Sequence, residues 1–316
     1  MSNWQKIHCG MFRERKSNNE GRRQIMWDQE SLFILQELRK KGYEKIEPVG
    51  EGAFSVVLRV WDRRQCCHYA CKVSRLSVMA KREAHFLEQL RHPVFPLYRT
   101  AWESGQCFFL VMEYIFGSTV GELCEKRGGF TQRAAVNILL ELSEGICYLH
   151  ERDNPIFFRD IKPENVMIRQ DGRVKLVDLG CAWEQGEKMN VAGSRGLSAP
   201  EQFERGAVVG AESDVYALGR LLLFLLTGRS GGTTVTEQMG CGRKKQISPK
   251  LLQLIQKATG CERQKRIPDV KTLIKQLSLV DKNCLYLSKK EKKRAEIGDF
   301  YYMQNIRKGM DKPCGL

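Results

Sequence analysis

The spacing of apolar residues changes along the chain, and each change predicts a different element. Residues 28–41 carry Leu32, Leu35 and Leu38 at helical spacing and stop before Gly42, a residue type that often ends helices. They predict a short helix that packs on the edge of the sheet that follows it.

The next part of the pattern predicts strands, and the part after that predicts helices. Strand-like alternation begins at residue 43, and residues 107–114, CFFLVMEY, form the near-continuous apolar run of a buried strand. Apolar residues then recur at helical spacing, and helices are predicted over residues 131–151, 213–226, 249–257 and 268–277.

A β-hairpin is predicted inside the helical half. Two short apolar strands, VMI and VKLV, flank the turn 170–172, and Asp-Gly between such strands is a strong hairpin signal. Because a hairpin brings its two ends together, Asn165 and Asp178 are expected side by side. An amide oxygen and a carboxylate at neighbouring points suit Mg²⁺, so a magnesium site is predicted here, with Asp160 on the loop that precedes it.

Composition adds expectations about partners and location. The chain has 316 residues and an ordinary hydrophobic content of 42%, but its formal net charge of +15 favours anionic partners. Its 12 cysteines show no zinc-finger spacing and favour reduced thiols in the cytosol. The longest apolar run, residues 221–226, is far shorter than the ~20 residues of a membrane span, and the N-terminus lacks the apolar segment of a signal peptide. We therefore expect a cytoplasmic protein.

The ends of the chain differ in character from its middle. Residues 1–42 are predicted to form a basic arm and the short helix, residues 43–280 a folded domain, and residues 281–316 a basic tail. Within residues 282–312, nine Lys and Arg residues stand against four Asp and Glu residues. A solvated tail or terminal helix is the simpler interpretation, and an acidic partner such as lipid headgroups, nucleic acid or an acidic protein is the alternative.

Residues 158–180, FRDIKPENVMIRQDGRVKLVDLG, resemble the catalytic core of the eukaryotic-type (Hanks-type) serine/threonine protein kinases. The first part matches the catalytic loop of that family, and the last three residues, DLG, match its metal-binding DFG motif. The resemblance implies that Asp160 is the catalytic base and that Lys162 contacts the γ-phosphate. It also implies that Asn165 and Asp178 hold Mg²⁺, for which Mn²⁺ is a substitute.

The stretch around residue 50 resembles the glycine-rich loop of the same family. Gly50 and Gly52 let the backbone approach phosphate closely, while Ser55 stands where the family has a third glycine. Ser55 still offers its backbone N–H, so the resemblance implies phosphate binding by all three residues.

A lysine in the strand that follows completes the phosphate contacts. The resemblance makes Lys72 the residue that grips the α- and β-phosphates, with Glu83 as its ion-pair partner. Glu88 is the competing candidate, but the place of Glu83 relative to Leu87, Leu90 and the dipeptide at residues 92–93 fits the family better.

The resemblance also implies an adenine pocket. Backbone groups of Glu113 and Ile115 are expected to hydrogen-bond the base, and Val57, Ala70 and Met167 are expected to enclose its ring. Plain core packing is the alternative for these three apolar residues, since adenine pockets are themselves mostly apolar.

Three further positions match the large lobe of the family. Ser194 occupies the place of the hydroxyl residue that bridges the catalytic Asp and Lys in serine/threonine kinases, and Asp214 that of the residue that anchors the catalytic-loop backbone. Arg266 is expected to form a buried ion pair with Glu201. Phe158 departs from the pattern, because the family has His there; an aromatic ring fills the same space without the hydrogen bond.

The predicted activation segment departs from the family in its control. Residues 181–193 contain no Ser, Thr or Tyr, and only Ser194 and Ser198 carry hydroxyls before Glu201. We therefore expect activity without phosphorylation of this loop, with a carboxylate beside Arg159 in place of a phosphate. The candidates for that carboxylate are Glu184 and Glu187.

Together these features predict an α+β, two-lobed protein-kinase-like fold. Its small lobe, residues 43–115, is an antiparallel sheet with one helix, and its larger lobe, residues 116–280, is mainly helical. The implied function is transfer of the ATP γ-phosphoryl group to Ser or Thr of protein substrates. Similarity of residues 193–203, GSRGLSAPEQF, is greatest to bacterial members. The alternatives are a pseudokinase that acts as a nucleotide-binding or scaffold module, and a small-molecule phosphotransferase of related fold.

Overall fold

The computed structural model describes residues 29–52, 55–75, 78–187, 191–204, 206, 208–229 and 247–284, with side chains from residue 30 to residue 280. The predicted N-terminal arm and most of the predicted basic tail lie outside these residues. The described chain forms two compact units. Unit 1 contains the residues up to Leu90 together with Pro96–Tyr114, and unit 2 contains Arg91–Phe95 and the residues from Ile115 onward.

Unit 1 is built on a five-stranded antiparallel sheet with the strand order β1-β2-β3-β5-β4. The strands are β1 Tyr43–Gly52, β2 Ser55–Asp62, β3 Cys67–Arg75, β4 Tyr98–Ser104 and β5 Cys107–Glu113. Strand β5, which lies between β3 and β4, is buried from its first residue to Met112, as its apolar run predicts. Two helices, α1 Gln29–Lys40 and α2 Val78–Gln89, complete the unit.

Helix α1 is confirmed, but of the three leucines at its predicted spacing only Leu38 is buried. Ile34 and Leu38 are the buried residues that join the core formed by β1, β2, β3 and β5, whereas Leu32 is 46% exposed. A spacing of three residues drifts around a helix with 3.6 residues per turn, so Leu32 and Leu38 cannot both face the sheet squarely. Ile34 and Leu38, four apart, lie one above the other and take that face.

Unit 2 is mainly helical. Its helices are α3 Val120–Arg127, α4 Gln132–His150, α5 Ala211–Thr227, α6 Pro249–Ala258 and α7 Val270–Cys284. Thr131 caps α4 by accepting a hydrogen bond from the backbone N–H of Ala134, and Ser248 caps α6 through Leu251 in the same way. Helix α4 packs against both α5 and α7, which places the apolar face of the longest predicted helix in the core.

Short strands of unit 2 carry the stretch with the family motifs. The strands β6 Gly117–Thr119, β8 Val166–Arg169 and β9 Val174–Leu176 form one sheet, and β7 Ile156–Phe157 pairs with β10 Trp183–Glu184. Lys175 on β9 donates from Nζ to the carbonyl of Phe95 at 3.1 Å. The segment Arg91–Phe95 is therefore held by unit 2 although both of its sequence neighbours belong to unit 1.

The predicted hairpin is confirmed as β8 and β9. Val166 pairs with Leu176, and the backbone N–H of Val177 donates to the carbonyl of Asn165 at 2.8 Å. Gly172 turns the chain with φ +85°, a conformation that glycine adopts without steric cost. Asp178 therefore leaves the hairpin one residue beyond the point where Asn165 enters it.

Within the part of the chain that the structure describes, no helix combines the length and apolar character needed to cross a membrane.

Candidate functional site

Asp160 is the centre of the polar network in unit 2. Ser194 Oγ donates to Asp160 Oδ1 at 2.7 Å, and Lys162 Nζ donates to Asp160 Oδ2 at 2.6 Å. Lys162 Nζ also lies 3.5 Å from Ser194 Oγ, so the predicted bridge between the three side chains is present. Because both of its oxygens are engaged, the carboxylate is held in one orientation.

Lys162 stays charged in this network. Its burial lowers the pKa of the ammonium, but the hydrogen bond and the charge of Asp160 outweigh burial, and the net pKa lies above the ordinary value. A cation is therefore fixed beside the carboxylate.

Asn165 and Asp178 present oxygen atoms at the open end of the hairpin. Asn165 Nδ2 donates to the carbonyl of Asp160 at 3.0 Å, which leaves the amide oxygen as the end that can meet a cation. Asp178 adopts a left-handed backbone with φ +70°, and its Oδ1 accepts from the N–H of Gly180 at 3.2 Å. One carboxylate and one amide oxygen at adjacent points fit a hard divalent cation.

The backbone before Asp160 is anchored by a buried carboxylate on α5. Asp214, which is completely buried, accepts from the N–H of Phe158 and from that of Arg159, both at 2.8 Å, as the sequence predicts. His150 Nε2 lies 2.8 Å from Asp214 Oδ2, a contact that the sequence analysis does not contain. Phe158 is fully buried, so its ring fills space while its backbone alone reaches Asp214.

A second ion pair in unit 2 ties the end of the activation segment to the helical core. Arg266 NH1 and NH2 lie 2.7 Å and 3.0 Å from the two carboxylate oxygens of Glu201, and Ser213 Oγ donates to Glu201 at 2.7 Å. Burial raises the pKa of the Glu201 carboxyl, but the hydrogen bonds from Arg266 and Ser213 outweigh it, so the net pKa lies below the ordinary value. The predicted pair is present and charged.

Unit 1 contains the other predicted ion pair. Lys72 Nζ on β3 lies 2.8 Å from Glu83 Oε2 on α2, and the two side chains are 14% and 5% exposed. Glu88, the competing candidate, is exposed on the same helix. Glu83 is therefore the partner of Lys72, as expected.

The predicted phosphate and adenine contacts of unit 1 lie on the sheet around Lys72. Gly50 and Gly52 end β1, opposite Val57 and Ser55 of β2. Val57 stands directly opposite Lys72, and Ala70 lies two residues before Lys72 on β3. Directly paired residues and residues two apart share a face of a sheet, so Val57, Ala70 and Lys72 lie on one face.

The remaining predicted adenine contacts lie in different units. Glu113 ends β5 in unit 1, and its N–H donates to the carbonyl of Leu97 at 2.8 Å. Ile115 and Met167 belong to unit 2, where Ile115 is buried and Met167 pairs with Lys175 in the hairpin.

Two polar side chains hold the catalytic loop through contacts that were not predicted from the sequence. Gln202 is fully buried and hydrogen-bonds the catalytic loop, and Ser198 does the same from four residues away. Neither contact has a local sequence signal, since each joins residues about 40 positions apart.

The antiparallel sheet with its packed helices in unit 1, and the Asp160 network and Asn-Asp hairpin in the helical unit 2, agree with the architecture expected of a protein kinase domain. Residues 43–297 match the family described as protein kinase domain, so the chain belongs to the protein kinase domain family.

Individual relatives come from bacteria and beyond. The chain is 35% identical over 154 residues to serine/threonine-protein kinase PrkC of Bacillus subtilis, covering 47% of this chain and 23% of the relative. It is 29% identical over 247 residues to serine/threonine-protein kinase C of Synechocystis sp., covering 68% and 45%. It is 32% identical over 205 residues to serine/threonine-protein kinase PknB of Mycobacterium tuberculosis, covering 59% and 32%. The predicted similarity to bacterial members is confirmed, and the chain spans less than half the length of each of these relatives.

Proposed function

We propose that the chain is an ATP-dependent serine/threonine protein kinase that transfers the γ-phosphoryl group to Ser or Thr of protein substrates. The observation that carries the proposal is the Asp160 network, in which one carboxylate is oriented by Ser194 at 2.7 Å and by Lys162 at 2.6 Å. A carboxylate held in this way accepts the proton of a substrate hydroxyl, and a fixed cation beside it stabilises phosphoryl oxygens.

The other predicted site residues complete the proposal. Lys72, oriented by Glu83, grips the α- and β-phosphates, and the backbone of Gly50, Gly52 and Ser55 approaches them. The predicted base contacts are the backbone of Glu113 and Ile115 and the side chains of Val57, Ala70 and Met167.

Mg²⁺ is the divalent cation that we propose for Asn165 and Asp178, with Mn²⁺ as a substitute. When bound, the cation neutralises the developing phosphate charge. The contribution of the protein is the hairpin, which keeps the two oxygen donors adjacent, and the Asn165–Asp160 hydrogen bond of 3.0 Å, which orients the amide.

The observations that support the kinase function do not bear on two other predictions, the acidic partner of the basic tail and the cytoplasmic location. An acidic partner for the basic tail concerns residues beyond the described side chains, and the cytoplasmic location also stays a prediction.

The test is phosphoryl transfer from labelled ATP to a generic protein acceptor, followed by identification of the phosphorylated amino acid. We expect phosphoserine or phosphothreonine from the wild type. Asp160→Asn should abolish transfer and leave nucleotide affinity nearly unchanged, whereas Asp178→Asn should lose the Mg²⁺-dependent part of that affinity. Asp171→Asn is the matched control, because Asp171 is an exposed carboxylate in the turn of the same hairpin. It accepts a hydrogen bond from the N–H of Arg173 and forms an ion pair with Arg169, both within the hairpin.

Each alternative function has its own outcome. Nucleotide binding without transfer by the wild type would establish the pseudokinase, and transfer only to small molecules would establish the other phosphotransferase. Full activity of Asp160→Asn would show that another group takes the proton.

A further inference from the structure

The residue before Asp160 has a backbone conformation that requires support. Arg159 has φ +69°, a left-handed value that is sparsely populated by residues other than glycine, asparagine and aspartate. Such a conformation persists only when its surroundings hold it in place. Because Asp160 follows directly, the direction of its carboxylate depends on the groups that hold Arg159.

The backbone of Arg159 is held on both sides. Its N–H donates to Asp214 Oδ1 at 2.8 Å. Its carbonyl accepts two hydrogen bonds, from Gln202 Nε2 at 2.8 Å and from Ser198 Oγ at 3.1 Å. The first anchor comes from the helical core, the second from Gln202 just after the activation segment, and the third from Ser198 near the end of that segment.

Gln202 joins two separate stretches of chain. Its amide nitrogen donates to the carbonyl of Arg159 and also to that of Ala192, at 3.0 Å, so the catalytic loop and the activation segment share one donor group. Gly193 lies directly against it, since a Cβ added there would come within 2.6 Å of Ser198 Oγ and 2.8 Å of Gln202 Nε2. We call Gln202, Ser198 and the two carbonyls they bind the amide clamp.

The side chain of Gln202 is not the choice that stability alone would favour. It is completely buried, and its Oε1 accepts no hydrogen bond from any residue that the structure describes. A buried acceptor without a donor is costly, and an apolar side chain of equal length would avoid the cost. The value of the glutamine at this position is therefore its two donated hydrogen bonds.

The activation segment offers no hydroxyl that could carry a phosphate without loss of a contact. Residues 181–193 contain no hydroxyl side chain. Ser194 Oγ is engaged with Asp160, and Ser198, which is 3% exposed, donates to Arg159 while its Oγ accepts from the N–H of Ser194 at 2.9 Å. A phosphate on either serine would break a contact that reaches Asp160.

We propose that the amide clamp positions the catalytic loop and the activation segment in the active arrangement without phosphorylation, with Gln202 as its main positioning residue. Neutral amide and hydroxyl donors thus hold the catalytic loop and the activation segment together in place of a charged phosphate. The proposal rests on the proposed kinase function and adds to it the way in which that function is controlled.

The experiment uses the full chain, treated with phosphatase and shown by mass to carry no phosphate. Its kcat and KM are measured with ATP and a peptide acceptor. Gln202→Met keeps the length of the side chain and removes both donors, and it should lower kcat by at least about tenfold because the carboxylate is misplaced. The KM for ATP should stay within about twofold of the wild type. Gln132→Met, which removes an amide that accepts from Ser248 at the start of α6, should leave kcat unchanged.

A second variant gives a readout that general loss of structure would not produce. In Gln202→Glu, a carboxylate would face two carbonyl oxygens, whereas its protonated form can donate to one of them. The kcat of this variant relative to the wild type should therefore rise as the pH is lowered from 8 to about 5.5, since burial raises the pKa of a carboxyl. This test holds even if Gln202→Met folds poorly.

The outcomes separate the two proposals. Wild-type activity that appears only after rephosphorylation would overturn the clamp and leave the kinase function standing. Wild-type kcat in Gln202→Met, or a flat pH ratio for Gln202→Glu, would also overturn the clamp. Absence of transfer in both phosphorylation states would overturn the kinase function and the clamp with it.

Discussion

Two ion pairs, Lys72–Glu83 in unit 1 and Glu201–Arg266 in unit 2, use the same kinds of charge but differ in the exposure of their cations. Lys72 of the Lys72–Glu83 pair in unit 1 is 14% exposed. Arg266 of the Glu201–Arg266 pair in unit 2 has no exposed side-chain surface. The Lys72–Glu83 pair joins two consecutive elements, whereas Glu201 and Arg266 are 65 positions apart.

The surroundings of the two cations do separate them. Arg266 binds both carboxylate oxygens of Glu201 and donates further to the carbonyls of Gly260 and Cys261, at 2.6 Å and 3.2 Å. Its guanidinium is thus surrounded by acceptors of the protein itself. Lys72 keeps contact with solvent, and a cation that touches water can exchange that water for a phosphate oxygen. We therefore propose that Lys72 binds ligand and that Arg266 has a structural role.

The largest expected effect is on catalysis, from Lys72→Met. Loss of a fixed cation at the phosphates should lower kcat/KM by at least about 100-fold, while the aliphatic part of methionine preserves the packing. Thermal unfolding measured beside activity should show a much smaller change. The double variant Lys72→Met, Glu83→Gln removes the uncompensated carboxylate and should be as inactive.

Lys81→Met is the matched control for that effect. Lys81 lies on the same helix as Glu83, and its pair with Glu103 is about half exposed, with side chains 52% and 45% accessible. Exposed pairs contribute little, so both activity and stability should stay close to wild type. If Lys72→Met were as active as Lys81→Met, the ligand-binding role proposed for Lys72 would be wrong.

The second effect falls on stability, from Arg266→Met. Removing one partner of a buried pair leaves an uncompensated charge, so the free energy of unfolding should fall by about 3–5 kcal/mol. Activity per folded molecule, measured well below the unfolding transition, should change much less. Adding Glu201→Gln should recover part of the stability, because no charge is then left buried alone. Lost activity with unchanged stability would give Arg266 a functional role and contradict the assignment.

Motif spacing and element period were enough to predict much of this molecule. The hairpin follows from Asp-Gly between two apolar runs, and the choice of Glu83 over Glu88 follows from its place on a helix. The contacts of Ser194 and Asp214 were predicted from their places in family motifs, because those motifs fix which residues meet across the fold.

The parts that sequence analysis missed depend on tertiary packing. Leu32 and Ile34 are equally apolar, and only the position of the sheet decides that Ile34 is buried and Leu32 exposed. His150 forms a hydrogen bond with a residue 64 positions away, and Gln202 forms one with a residue 43 positions away. The local sequence around His150 or Gln202 gives no indication of these partners. The pairing of Glu184 or Glu187 with Arg159 stays a prediction.

The smallest expected effect is a pH dependence that belongs to the Glu201–Arg266 pair. The pKa of Glu201 in the folded chain lies below its ordinary value, which for an unfolded glutamate is about 4.3. Between those two pKa values the unfolded chain binds more protons than the folded chain, so stability falls as the pH falls through this window. The contribution is fully present above about pH 4.3 and is lost as the pH drops through the folded pKa.

Urea unfolding at pH 7 and at several values below 4.5 should therefore show a steeper loss for the wild type than for the double variant Glu201→Gln, Arg266→Met, which lacks the titrating group. The variant Glu262→Gln, which removes an exposed carboxylate that pairs with Lys265, should follow the wild type. Equal slopes for the wild type and the double variant would mean that Arg266 does not hold Glu201 in its charged form, and would contradict the structural role proposed for this pair.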